Sequence, residues 1–275
     1  MVIILKNLNK FYTVCIFCCI FTLLVLIILL FIKVQEPSMI FSKLSENNGN
    51  EWGIWYPNPG ETPEGEEDAD YLREFDAYYV GNGSDKVIYL TFDGGYENGY
   101  TEQILDTLKS NQVPAIFFLT GNYIKKNPEI VNRMVNEGHL VGNHTMSHPD
   151  MRKQNKSSFA EQLFLTEEAY ESATGCEMQK YYRPPCGRYS EANLKMAQEL
   201  GYKTIFWSLA YNDYNDKKQP SKEDAFSKLI PRIHPGAVIL LHSTSKTSTL
   251  LLDELINRYR QMGYEFRSID CLTDY

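Results

Sequence analysis

Apolar positions are spaced in two different ways along this chain. Residues 11 to 32, FYTVCIFCCIFTLLVLIILLFI, form an unbroken run of 22 positions without a charge. As a helix rising ~1.5 Å per residue, such a run is about 33 Å long and crosses a bilayer core. Beyond residue 85 the apolar residues fall instead into short clusters rich in branched and aromatic side chains: KVIYLTF at 86–92, AIFFLT at 115–120, HLVG at 139–142, KTIFWSL at 203–209 and AVILLH at 237–242. Runs of this length without polar alternation are expected of parallel strands buried on both faces.

Amphipathic stretches separate the clusters, and they predict helices over 100–111, 127–137, 157–174, 190–200, 221–233 and 247–262. The second opens on Asn127-Pro128-Glu129 and stops at Gly138; the fourth opens on Ser190-Glu191 and stops at Gly201. Those are the residue types that caps require. Strands alternating with helices predict an α/β fold, either a parallel sheet or a (β/α) barrel. The roughly 190 residues available fall short of the ~250 of a full eight-fold barrel, so a reduced or distorted barrel is expected.

The run at 11–32 reads as a transmembrane anchor. A cleaved signal peptide would have a shorter apolar region followed by small residues, and no alanine occurs before Ala69. Lys6 and Lys10 precede the run while Lys33 is followed by Glu36, which places residues 1–10 in the cytoplasm and the rest of this single-pass chain outside it. Residues 33–74 hold Pro57, Pro59, Pro63 and seven of the eight acids that lie between Glu61 and Asp76 against Arg73 alone, and they read as a loosely ordered acidic stalk before a domain at 75–275. Trp52, Trp55 and Tyr56 are candidates to pack onto that domain.

The formal charge of −8 is concentrated in that acidic segment, leaving the remainder near neutral; an acidic chain is a poor partner for phosphate, which excludes nucleic acid. With 43% hydrophobic residues the chain is neither disordered nor fibrous. Cys176, Cys186 and Cys271 follow the apolar run in no Cys-x-x-Cys pair, so no disulfide framework is implied and the thiols read as small hydrophobes.

Candidate chemistry collects where predicted strands end. Asp93 follows the first, His144 and His148 follow the third, Arg183 follows Tyr181-Tyr182, and His242 closes the last. The C-terminal ends of parallel strands share one rim, and that rim carries the site. Histidines at i and i+4 lie on one side of a helical turn, a spacing suited to one Zn²⁺, although His-x-x-x-His alone also describes two half-exposed side chains near a turn. Asp93-Gly94-Gly95 is compatible with a general base on a flexible turn and equally with a surface turn. Arg183 precedes two prolines; it is placed either to pair with a carboxylate or to sit in solvent. Neither a G-x-S-x-G nucleophile elbow nor a phosphate-binding loop is present.

Taken in order, TFDGGYENGYT at 91–101, HTMSH at 144–148, RPPCG at 183–187, the Asp213-Tyr214 pair and ILLH at 239–242 resemble the polysaccharide deacetylases with a NodB-homology domain, carbohydrate esterase family 4. The resemblance covers roughly residues 75 to 272. Within the family it is nearest to the muramic δ-lactam-forming subgroup of the spore cortex, through YENGYT, WGIWYPN at 52–58, FDAYYVG at 75–81 and HPGAVILLH at 234–242.

The resemblance implies a distorted (β/α) barrel with Asp93 as catalytic base and His144 and His148 as ligands of a divalent metal, zinc first, with cobalt or manganese as alternatives. Arg183 would keep Asp93 ionised, Asp213 would orient His242 as catalytic acid, and Tyr96, Pro185, Tyr214 and Leu240 would face the sugar. Implied partners are a peptidoglycan glycan strand and the cell membrane. The expected substrate is N-acetylmuramic acid; N-acetylglucosamine or chitooligosaccharide and a catalytically silent glycan-binding role are the alternatives. Two residues depart from the pattern. Gly94 stands where the family usually has a third metal ligand, Asp, leaving Glu97 and Asp150 as the nearby carboxylates, and Tyr214 stands where a Trp is usual.

Overall fold

Branched and aromatic residues at both odd and even positions of the first cluster leave neither face suited to water, and the strand they form is buried along its whole length. The computed structural model describes residues 49–273. The expected anchor at 11–32 and the stalk up to residue 48 lie outside the described residues; among those described, no helix is long and apolar enough to cross a membrane.

A parallel sheet forms the centre. Its strands run in the order β11 (Leu209–Ala210), β12 (Ala237–His242), β5 (Val87–Gly94), β6 (Ile116–Leu119), β7 (Leu140–Asn143), β8 (Tyr181–Tyr182), β10 (Lys203–Ile205) and β4 (Ala77–Tyr78), with β13 (Glu265–Phe266) paired to the start of β5. After β4 the chain returns to the other side of the sheet, where Val80 bridges Ala237. The sheet therefore curls into the distorted barrel expected.

Alternation along each strand sorts side chains into two cores. Val87 and Tyr89 point inward with Ile116, Phe118, Tyr181, Ile205 and Val238. Ile88, Leu90 and Phe92 point outward with Phe117, Leu119, Ile239 and Leu241, beneath the helices. Those helices are α2 (Thr101–Asn111), α3 (Gly121–Lys126), α4 (Pro128–Asn136), α5 (Lys156–Thr174), α6 (Glu191–Glu199), α7 (Lys222–Leu229) and α8 (Lys246–Gln261). Six match the amphipathic stretches. The short α3 was not expected, and it begins where Thr120 Oγ1 accepts from Tyr123 N.

Two differences bear on function. The cluster at 203–209 is broken: β10 stops at Ile205 and β11 starts at Leu209, freeing the carbonyls between them for a side chain described below. The acidic stalk expected up to residue 74 is in fact ordered from residue 49. There β1 (Asn50–Glu51) pairs antiparallel with β9 (Arg188–Tyr189), β2 (Ile54–Trp55) pairs with β3 (Glu64–Gly65), and α1 (Ala69–Arg73) follows. Trp52 is the physical reason. Only 5% exposed, it stacks on Phe206 at 4.5 Å and donates from Nε1 to the Trp207 carbonyl at 2.9 Å. Removing a ring buried in this way costs about 3–5 kcal/mol, enough to hold the segment against its many acids. Tyr56 is also partly packed, whereas Trp55 is exposed.

Candidate active site

The register of β12 on β5 places His242 opposite Asp93 at the C-terminal ends of both strands. Thr91 and Leu240, two residues earlier on each, are likewise partners, so Asp93 and His242 cap an inward-facing column of the barrel.

Arg183 reaches this point from the strand end after Tyr182 and is fully buried. One Nη1 contact goes to Asp93 Oδ1 at 2.8 Å and another to Thr91 Oγ1 at 2.8 Å. Nε donates to the Ile205 carbonyl at 2.9 Å and Nη2 to that of Phe206 at 3.2 Å, the carbonyls left by the strand break. Its guanidinium also lies over the Phe118 ring at 4.2 Å. Burial would push the Asp93 carboxyl upward, but the guanidinium and the neighbouring imidazoles outweigh it and hold Asp93 below the usual carboxylate range. Asp93 is therefore ionised, as a general base must be.

His242 carries the opposite charge preference. Burial alone would lower its pKa, yet the Asp213 carboxylate raises it above the ordinary value. Asp213 is fully buried; Oδ1 accepts from His242 Nδ1 at 2.7 Å, and Oδ2 accepts from His242 N at 2.9 Å and Ser248 Oγ at 2.6 Å. With Nδ1 committed, Nε2 is the nitrogen that faces the site.

His144 and His148 converge, their ring centroids 4.9 Å apart, but not on the helical turn that the i, i+4 spacing predicts. Residues 144–150 are irregular, with Thr145 at φ +67° and His148 at φ +62°. Local bonds hold these unfavourable conformations: Asn143 Oδ1 accepts from Thr145 N at 2.9 Å, and Thr145 Oγ1 from His148 N at 3.0 Å. His144 Nδ1 lies 2.8 Å from the Arg183 carbonyl, which can only accept, so Nδ1 carries the proton and Nε2 a lone pair. Burial lowers the His144 pKa to about 4 and also lowers that of His148, so both rings are neutral at neutral pH.

His144 Nε2 faces Asp93 Oδ2 at 3.7 Å, two electron-pair donors across a gap with no proton of their own to share. That arrangement suits a divalent cation bound by two imidazoles. The set is incomplete: no group of three or more His, Cys, Asp or Glu at metal-binding spacing occurs among the described residues. Gly94 contributes no side chain, and a Cβ there would lie 2.7 Å from Leu119 Cδ2 and 2.9 Å from Ser243 Oγ. Neither nearby carboxylate fills the place. Glu97 accepts from Gly99 N at 2.6 Å and Tyr123 Oη at 2.7 Å, and Asp150, whose pKa Arg152 lowers to about 2, accepts from its Nε and Nη2 at 2.9 and 2.7 Å.

Of the residues expected to face a sugar, Tyr96 and Tyr214 are exposed aromatics at the mouth, Tyr214 with its ring 6.2 Å from that of His242. Pro185 is buried in the turn after Arg183, and Leu240 is 5% exposed beneath His242. Thr91, Ser248 and Asn143, buried hydroxyls and an amide, brace Arg183, Asp213 and the histidine loop; Thr91 and Asn143 are marked in the sequence as polar residues inside or just beyond an apolar cluster, whereas Ser248, in the first turn of α8, carries no such signal. The thiols are not core residues as expected: Cys176 and Cys186 are exposed, Cys271 is half-buried, and all three are free.

The family model for polysaccharide deacetylases matches residues 80–205. The peptidoglycan-N-acetylmuramic acid deacetylase PdaA of Bacillus subtilis is 42% identical over 201 residues, covering 73% of this chain and 76% of that protein. The chain belongs to the polysaccharide deacetylases. A solved structure of Bacillus subtilis PdaA, described as a family 4 carbohydrate esterase, superposes with a TM-score of 0.78 at 39% identity over 82% of this chain and 97% of that one. A peptidoglycan-N-acetylglucosamine deacetylase of Bacillus cereus is 39% identical over 181 residues, 64% of each chain. Polysaccharide deacetylases are hydrolases of amide carbon–nitrogen bonds and are generally metal-dependent. A carboxylate with a lowered pKa, a histidine with a raised one and a second pair of histidines meet at one rim, groups able to take up and give protons and to hold a cation.

Proposed function

We propose that this polysaccharide deacetylase is a membrane-anchored, metal-dependent enzyme that removes the N-acetyl group from N-acetylmuramic acid residues of peptidoglycan. The observation that carries the reading is the pairing of Asp93, its pKa lowered by Arg183, with His242, its pKa raised by Asp213, across adjacent strand ends, in a chain 42% identical to PdaA. The uncharged run at 11–32 supports the anchor and an extracytoplasmic catalytic domain.

His144 and His148 would hold the cation, whose chemistry is to polarise the acetamide carbonyl and acidify the attacking water. Asp93 accepts the proton of that water as its oxygen bonds to the carbonyl carbon. Arg183, with no solvent contact, fixes the carboxylate and keeps it ionised until that moment. His242 then delivers its Nε2 proton to the sugar nitrogen as the carbon–nitrogen bond breaks, and acetate leaves with the water's oxygen. Asp213 stabilises the imidazolium beforehand and holds its orientation throughout. Tyr96 and Tyr214 offer apolar faces for a sugar ring. On a muramic residue the freed amine lies beside the lactyl carboxyl group, with which it can condense to a δ-lactam with loss of water.

The test is mass analysis of products from a panel of substrates supplied with divalent metal: peptide-free peptidoglycan glycan, peptide-bearing peptidoglycan and chitooligosaccharides. The proposal predicts free amines or lactams on muramic residues. Deacetylation confined to glucosamine residues would contradict it and favour the activity for which the Bacillus cereus relative is named.

A further inference from the structure

Arg188 opens β9 immediately beyond the turn that carries Pro185, and its backbone is fixed from two sides. Glu51 is its partner in the β1–β9 pair, and Gly187 before it sits at φ +66° with no room for a side chain, since a Cβ would meet Trp207 at 2.8 Å and Trp52 Cβ at 2.9 Å. The side chain is held far less tightly. Among the described residues the guanidinium makes one polar contact, Nε to Glu51 Oε2 at 3.3 Å, with a carboxylate that is itself 61% exposed. A pair this long and this wet contributes little and exchanges readily.

The other two arginines in this region are committed: Arg183 is buried on Asp93 and backbone carbonyls, and Arg152 forks onto Asp150. Arg188 keeps both Nη groups without a protein hydrogen bond among the described residues, and it lies on the histidine side of the mouth: the segment that pairs with it is tied by the Gly49 carbonyl to Arg152 Nη1 at 2.9 Å, four residues beyond His148. A cation with a rigid backbone, free planar donors and a position beside the reacting centre is suited to a carboxylate. The sugar reading supplies one. N-acetylmuramic acid differs from N-acetylglucosamine by a lactyl carboxylate on the ring carbon adjacent to the acetamide-bearing carbon. With the acetamide at Asp93, that anion must sit close by, within reach of a cation at the rim whose donors are free to pair with it.

We propose that Arg188 binds the lactyl carboxylate of the substrate and is the residue that selects muramic over glucosamine residues. This rests on the deacetylase reading above and adds the determinant of its substrate class. Glu51 holds the guanidinium at the rim until the substrate carboxylate displaces it.

The experiment compares full-length wild type, Arg188→Gln and Arg188→Lys on peptide-free glycan and on the same glycan with its lactyl carboxylates methyl-esterified. Arg188→Gln should raise KM for the carboxylate form by at least about tenfold, the value of one charge-assisted contact, and leave kcat and the ester substrate unchanged, with Arg188→Lys recovering part of the loss. Equal losses on both substrates, or none, would overturn the assignment. Calorimetric titration with free N-acetylmuramic acid and N-acetylglucosamine separates this from the activity itself. Tighter binding of the muramic sugar to wild type but not to Arg188→Gln supports Arg188 even if turnover proves to occur on glucosamine residues; equal binding of both sugars to wild type rejects it.

Discussion

Asp93 and His242 are directly opposed Cα partners at the ends of two neighbouring parallel strands, although 149 positions separate them in the chain. Each has its own buried partner behind it, Arg183 for the carboxylate and Asp213 for the imidazole. The two ion pairs push the two pKa values in opposite directions, down for Asp93 and up for His242, which favours one taking a proton while the other gives one.

Asp93→Asn keeps the shape of the side chain and removes its basicity. Turnover should fall by at least about 10²-fold while substrate binding is retained. Steady-state acetate release checks the first expectation and glycan titration the second.

The pH dependence of kcat/KM should be bell-shaped. With divalent metal saturating, activity needs Asp93 ionised, so the acid limb lies below the ordinary carboxylate range; it needs His242 protonated, so the basic limb lies above the ordinary imidazole value. Asp213→Asn removes the charge that raises the His242 pKa, so burial prevails and the basic limb moves to lower pH. A basic limb that stays put in this variant would show that another group sets it.

Arg183→Met leaves the Asp93 carboxylate buried without its cation. Its pKa should rise and the acid limb should shift upward, toward neutrality. Losing one partner of a buried pair also costs about 3–5 kcal/mol, measurable as a lowered denaturant midpoint.

Much of this architecture was legible in the chain. Strands rich in branched residues and helices bounded by Asn-Pro, Ser-Glu and Gly announce themselves locally, and the parallel arrangement then sends Asp93, His144, Arg183 and His242 to one rim. What local patterns could not convey was tertiary. KTIFWSL reads as one continuous strand, yet it breaks after Ile205 because Arg183 takes the Ile205 and Phe206 carbonyls. The segment around Trp52 reads as stalk from its prolines and acids, and only the Phe206 face and Gly187 reveal where the indole goes. His144 and His148 were placed on a helical turn by spacing, whereas Asn143 and Thr145 bend the loop to the same convergence by another route.

Gly94 is sterically constrained as well as ligand-free. Gly94→Ala would press on Leu119 and Ser243, and overpacking of that kind should lower stability by about 1–3 kcal/mol. A thermal melt of the variant reads this directly; an unchanged melting temperature would mean that Leu119 and Ser243 move aside at no cost.

His144→Ala and His148→Ala should each weaken divalent-cation binding by at least about tenfold, as loss of one of two imidazole donors requires. Cation binding to wild type should also weaken as the pH falls toward about 4, where His144 takes up a proton. Calorimetric titration with zinc across this pH range measures both.

The proposed reaction is hydrolysis of an acetamide on a sugar by Asp93 and His242. Its most direct measurement is acetate released from peptide-free peptidoglycan glycan, with divalent metal present, by wild type and Asp93→Asn side by side. Wild type should release acetate in step with newly freed sugar amines, and the variant at least about a hundredfold less. Absence of acetate from wild type, or equal release from both proteins, would contradict it.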